Sequence, residues 1–123
     1  MSEVVIRRAT RGDIPTLGRL GAMLLRTHYE FDRARFIAPG ENSEAGYGWF
    51  LGTQLQDTDA VVLVAERGGL VVGYVYAGLE PQSWKELRDA AGFIHDVVVD
   101  ENDRERGAGT ALIEAAIAWL REK

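Results

Sequence analysis

The run Asp100-Glu-Asn-Asp-Arg-Glu-Arg-Gly-Ala-Gly109 holds residue types and spacing that could do chemistry. It is a polar turn closed by Gly-x-Gly and followed by an apolar-faced helix. That order leaves unpaired backbone N–H groups at a helix N-terminus, where the helix dipole also favours an anion. The glycines let the backbone approach phosphate oxygens closely and adopt unusual φ angles. Arg104 and Arg106 add positive charge. The same letters also suit a plain tight turn with solvated arginines, and the loop alone leaves both readings open. A triphosphate-binding Walker loop is excluded, because Gly109 is followed by Thr110 with no lysine. A dinucleotide fingerprint fares poorly, since Leu112 stands where a third glycine belongs and the preceding strands form a hairpin.

Other side chains offer less. His28 and His95 are the only histidines, neither lies in a metal-ligand spacing, and no metal is expected. Ser2, Ser43 and Ser83 lack a nucleophile-elbow context, and Ser83 reads as a helix cap. With no cysteine in the chain, thiolate chemistry, disulfides and Cys-based zinc sites are excluded.

The elements that must position the loop follow from periodicity. Val4 to Arg8 is a short β-branched strand, and Thr10-Arg-Gly-Asp13 reads as a capping box with Pro15 in the first helical turn. Ile14, Leu17, Leu20, Leu24 and Leu25 recur at helical spacing, in a helix expected to end near Thr27. His28 to Ser43, with Tyr29, Phe31, Phe36 and Pro39-Gly40, reads as an irregular connection. A second helix is expected from Glu44 to Leu55, weakened by Gly46, Gly48 and Gly52. Ala60 to Glu66 and Leu70 to Leu79 form a hairpin around Gly68-Gly69. Ser83 to about Asp89 could form a short helix, Phe93 to Val99 a strand, and Ala108 onward a helix reaching the last residue. The fold class is therefore α/β (α+β), a mainly antiparallel sheet flanked by helices, in one domain over residues 1–123.

An apolar fraction of 46% and a charged fraction of 27% are those of an ordinary globular protein. No apolar run approaches the ~20 residues that span a bilayer, and no signal peptide opens the chain, so a cytoplasmic location and no membrane partner are expected. A net charge of −5 disfavours nucleic acid and weakly suits a cationic partner such as an amine.

Arg104-Glu-Arg-Gly-Ala-Gly109 resembles the pyrophosphate loop of the GNAT superfamily of acyl-CoA-dependent N-acyltransferases, written Arg or Gln, any, any, Gly, any, Gly or Ala. Phe93-Ile-His-Asp-Val-Val-Val-Asp100 looks like that family's central strand, and the upstream elements occur in the family's order, so the resemblance covers the whole chain. It implies an N-acetyltransferase with acetyl-CoA as co-substrate and a small-molecule or peptide amine as acceptor. It implies further that backbone groups of Val97 and Val99, on the Val97-Val98-Val99 strand, pair with the pantetheine arm. N–H groups of Glu105, Arg106, Gly107, Ala108, Gly109 and Thr110 would hold the pyrophosphate beside Arg104. Amine and acyl donor meet directly in this family, so a base is needed more than a nucleophile. His95 and Asp96 stand where many members place acidic residues, and both are candidates for that base. Tyr29, Phe31, Trp49, Tyr76, Glu80 and Trp84 could line the acceptor pocket, although each alone suits ordinary packing.

In that family the domain continues with a fifth strand parallel to the fourth, a further helix and two more strands, and a tyrosine often protonates the leaving thiolate. The resemblance therefore implies a domain lacking the C-terminal strands, with an open edge on the Phe93 strand. Two classes of function follow: the acetyltransferase itself, or a non-catalytic module that binds CoA or a partner through the open edge, including as a homodimer.

Overall fold

The structure, a computed structural model, describes residues 3–34, 40 and 42–123. Phe36 and Pro39 of the expected irregular connection lie outside the described residues. Strands β1 (Val4–Arg8), β2 (Ala60–Arg67), β3 (Leu70–Glu80) and β4 (Ala91–Val99) form one antiparallel sheet in the order β1-β2-β3-β4. Helices α1 (Ile14–Phe31) and α2 (Ser43–Gln54) precede β2, and α3 (Ala108–Arg121) follows β4.

Two layers of core follow from the pleat. Val62, Val64, Tyr74 and Val98 point to one face and pack with Leu17, Leu20 and Leu51 of α1 and α2. Val61, Leu63, Val75 and Ala77 point to the other and pack with Leu112 and Ala116 of α3. Strand β2 is covered on both faces, which is why Ala60 to Ala65 reads as an unbroken apolar run rather than an alternation. The β2–β3 hairpin turns on Gly68 and Gly69, at φ of 62° and 82°. Both are left-handed angles that a residue with a Cβ rarely adopts.

Three expectations change. Helix α1 runs on to Phe31 instead of ending near Thr27, and its last turn is closed by Asp32 N–H donating to His28 O at 3.0 Å. None of the residues in that turn is buried, so it carries no apolar stripe for periodicity to find. Ser83 to Asp89 forms no helix. Ser83 Oγ does accept from Glu86 N–H at 3.3 Å, but Leu87 then enters the left-handed region at φ 53°. The segment folds back instead, as Ser83 and Arg88 exchange backbone hydrogen bonds of 2.8 and 2.9 Å. Lastly, α3 ends at Arg121, short of the final residue.

Glycine also lets α1 and α2 approach each other closely. A Cβ on Gly18 of α1 would lie 2.3 Å from the Glu44 carbonyl oxygen, so the two helices cross at a distance that only glycine permits.

Candidate functional site

The register between β3 and β4 runs Tyr74↔Val98, Val75↔Val97, Tyr76↔Asp96 and then Ala77↔Ile94. One extra residue, His95, is inserted into β4 at this point. A regular strand would send His95 and Asp96 to opposite faces, and the bulge re-aims them. Both side chains reach the face covered by α1 and α2. The His95 ring lies 4.8 Å from the Tyr76 ring, and Asp96 accepts the Tyr47 hydroxyl of α2.

His95 Nε2 stands 3.0 Å from Glu80 Oε1 at the end of β3. In a neutral imidazole the Nε2–H donates to that carboxylate and Nδ1 keeps the lone pair. The ring is stacked on Phe93 at 6.2 Å. Tyr76 in turn donates to Gln54 Oε1 at 2.9 Å and meets Phe50 edge-on at 5.7 Å.

The Asp96 carboxylate is held by two phenols on one oxygen, Oδ2: Tyr47 from α2, and Tyr74 of β3 at 3.4 Å. Burial pushes the Tyr47 and Tyr74 hydroxyls well above the usual phenol range, and the neighbouring Asp96 charge adds to it. Tyr76 is raised as well, by burial first and then by the negative charges of Glu80, Asp96 and Asp57. All three phenols therefore remain hydrogen-bond donors throughout the neutral range.

At the end of β4, Asp100 N–H donates to Val72 O at 2.7 Å. Alternation along an antiparallel strand then turns the N–H and C=O of Val97 and Val99 away from β3, toward the free edge of the sheet. Arg104 Nε sits 3.4 Å from Val99 O. A 3-10 turn, Glu101–Asp103, opens the loop, and buried Asp103 anchors it to the hairpin through Arg67 Nε at 2.9 Å. Arg67 also donates to the Arg106 carbonyl at 3.0 Å. Glu105 and Gly107 both adopt left-handed backbone, at φ 65° and 90°. Gly107 O accepts the first bond of α3 from Ala111 N–H at 3.0 Å, so the N–H groups of Ala108, Gly109 and Thr110 lie in the turn that has no intrahelical partner. The turn thus leaves N–H groups without intrahelical partners at a helix N-terminus next to the edge strand β4, an arrangement that favours an anion.

Of the acceptor candidates, the structure brings Tyr76 and Glu80 to His95 and Asp96. Trp49 is exposed on the opposite flank of α2, in a cleft with Arg11, Ile14 and Gln56. Phe31 and Trp84 are exposed, and Tyr29 lies beneath the Arg33 guanidinium at 5.6 Å. Tyr47, Tyr74, Gln54, Arg67 and Asp103 also belong to this constellation, and no motif in the sequence singles them out. The one available signal was that a buried tyrosine needs a partner for its hydroxyl. Among the described residues no group of three or more His, Asp or Glu is arranged to hold a metal ion. No described helix is long and apolar enough to cross a membrane.

The model of the acetyltransferase (GNAT) family matches residues 24–123. A variant of the BH1408 protein from Bacillus halodurans superposes with a TM-score of 0.77 at 24% identity, over 96% of this chain and 75% of that one. An acetyltransferase from Vibrio fischeri gives 0.72 at 20% identity, over 96% and 87%. A predicted acetyltransferase from Clostridium acetobutylicum, solved with acetyl-CoA, gives 0.66 at 16% identity, over 98% and 75%. At these identities the structures speak for the fold. No curated protein matches the chain.

Proposed function

The chain belongs to the acetyltransferase (GNAT) family, and from that premise we propose that it transfers an acetyl group from acetyl-CoA to a primary amine of a small molecule or peptide. The observation that carries this reading is the β4 bulge, which sets His95 against Glu80 on the strand whose Val97 backbone faces the sheet edge.

In the proposed reaction the pyrophosphate rests on the N–H groups from Glu105 to Thr110, with Arg104 and Arg106 alongside. The pantetheine arm pairs with the outward groups of Val97 and Val99. A primary amine of pKa ~10 arrives protonated. His95, oriented by Glu80, takes one proton through Nδ1, directly or by way of water. The freed lone pair attacks the thioester carbonyl carbon, and an outward N–H of β4 stabilises the oxyanion. Collapse breaks the C–S bond, the departing thiolate takes up the second proton from the acylated nitrogen, and the neutral amide and thiol are released. Glu80, Asp96 and Asp57 make the recess around Tyr76 negative, which supports a cationic acceptor.

Thermal melts with acetyl-CoA, followed by steady-state transfer to a panel of amines, test the proposal. At ligand ~100-fold above Kd the melting temperature should rise by roughly 10 °C. His95→Ala should keep that shift and lose about 100-fold in kcat. No shift and no turnover would overturn the reading, and a shift without turnover would leave a non-catalytic CoA-binding module.

A further inference from the structure

The bulge in β4 is a local irregularity on which the proposed chemistry depends. Its register is set on one side by Tyr76↔Asp96 and on the other by Ala77↔Ile94. If the extra residue were absorbed elsewhere in the strand, His95 would move to the other face. Something must hold it in place, and the structure contains a device in Tyr47.

Tyr47 grips the bulge at both of its residues. Its hydroxyl donates to Asp96 Oδ2 across the layer from α2 to the sheet. Its ring meets Phe50 at 6.0 Å, Phe50 meets Tyr76 at 5.7 Å, and Tyr76 meets His95 at 4.8 Å. Asp96 is thereby held through a hydrogen bond, and His95 through a run of ring contacts. Behind it the Tyr47 ring is seated on α1, where an added Cβ at Gly21 would lie 2.2 Å from Tyr47 Cδ1. Tyr74, fully buried, supplies the second donor to Asp96 from β3.

We infer that Tyr47 is a positioning residue for acetyl transfer: by donating to Asp96 it fixes the β4 bulge, and with it the His95 imidazole and the outward backbone of Val97, without touching the reacting atoms. This rests on the acetyltransferase reading. It also gives Asp96 a role other than that of base. With both phenols on Oδ2, the carboxylate works as the acceptor that ties α2 to β4, and proton removal falls to His95 alone.

The test is steady-state kinetics with purified protein well below its melting temperature, on Tyr47→Phe, Asp96→Asn, Asp96→Ala and the Tyr47→Phe/Asp96→Ala double variant. Tyr47→Phe should lower kcat at least tenfold, as a small displacement of a catalytic group does. The thermal shift with acetyl-CoA should persist, because the loop from Glu105 to Thr110 is not involved, and KM for acetyl-CoA should rise by no more than about threefold through Val97, well short of the loss in kcat. A purely structural role would lower the melting temperature and spare kcat. Asp96→Asn retains an amide oxygen for Tyr47 and should keep kcat within about fivefold of the parent, whereas a base replaced by an amide would be as inactive as His95→Ala. Asp96→Ala should lose as much as Tyr47→Phe, and the double variant no more than either, the signature of one shared interaction. Parental kcat in Tyr47→Phe, or an inactive Asp96→Asn, overturns the inference. Absence of turnover in the parent protein overturns the acetyltransferase reading itself.

Discussion

The hydrogen bond between Glu80 and His95, 3.0 Å long, decides which imidazole nitrogen can accept a proton. A carboxylate on Nε2 fixes the tautomer with its lone pair on Nδ1 and holds the ring plane. Glu80→Gln keeps an acceptor oxygen at that position and should cost less than about tenfold in kcat. Glu80→Leu leaves the ring free to flip and should cost about 100-fold, with KM for acetyl-CoA unchanged. Equal losses in the two variants, measured at saturating acetyl-CoA, would show that the charge of Glu80 matters and its hydrogen bond does not. His95 and Asp96 were legible as neighbouring letters in a strand, but their shared face was not. A bulge carries no residue signature here, and alternation predicts opposite faces. Tyr47 was hidden for a related reason. It lies 49 residues from Asp96, and its place on an apolar helical face accounts for the ring while saying nothing about the hydroxyl.

Among the elements, the loop between β4 and α3 separates two glycines that look equivalent in the sequence. Gly107 stands at φ 90°, where any Cβ is strained, and nothing crowds it. Gly109 has ordinary helical surroundings, and a Cβ there would touch only Val99 Cγ2 at 3.5 Å. Gly109→Ala should therefore be neutral or gain up to ~1 kcal/mol from helix propensity, and still bind acetyl-CoA. Gly107→Ala should cost ~1–2 kcal/mol, and Gly107→Asp should also abolish the thermal shift with acetyl-CoA by placing bulk and negative charge at the N-terminus of α3. Unchanged CoA affinity in Gly107→Asp, by calorimetric titration, would count against the loop assignment. The hairpin at Gly68-Gly69, the buried strand β2 and the face of α3 were all readable because local chemistry and tertiary burial agree in them. The end of α1 and the fold-back at Ser83 to Arg88 were not. One depends on a solvent-facing turn without a stripe, and the other on Leu87 entering a conformation that its side chain disfavours.

Across the whole molecule, ion pairs join the segments that the apolar layers leave apart. Arg7 of β1 donates to both oxygens of Asp13, at 2.8 and 2.9 Å, and to Glu66 of β2 at 2.7 Å. Thr10 N–H adds a third bond to Asp13 at 2.7 Å, so the entry to α1 is tied to the sheet edge. The Arg7 guanidinium is the main cause that holds the Asp13 carboxyl below the ordinary range, outweighing its partial burial. A folded-state pKa below the unfolded value, ~3.9, means that the unfolded chain takes up the proton first. The stabilisation is therefore complete well above pH 4 and is lost as pH falls through the folded value. Asp13→Asn removes that titration and the charge pair together. Urea unfolding from pH 7 down to pH 2 should show the variant less stable at neutral pH, with the gap to the parent narrowing steadily below about pH 5 as the parent's own carboxylate is neutralised. A gap of constant size down to pH 2 would mean that Asp13 contributes through shape and neutral hydrogen bonding, and that its charge has no part in holding α1 to the sheet.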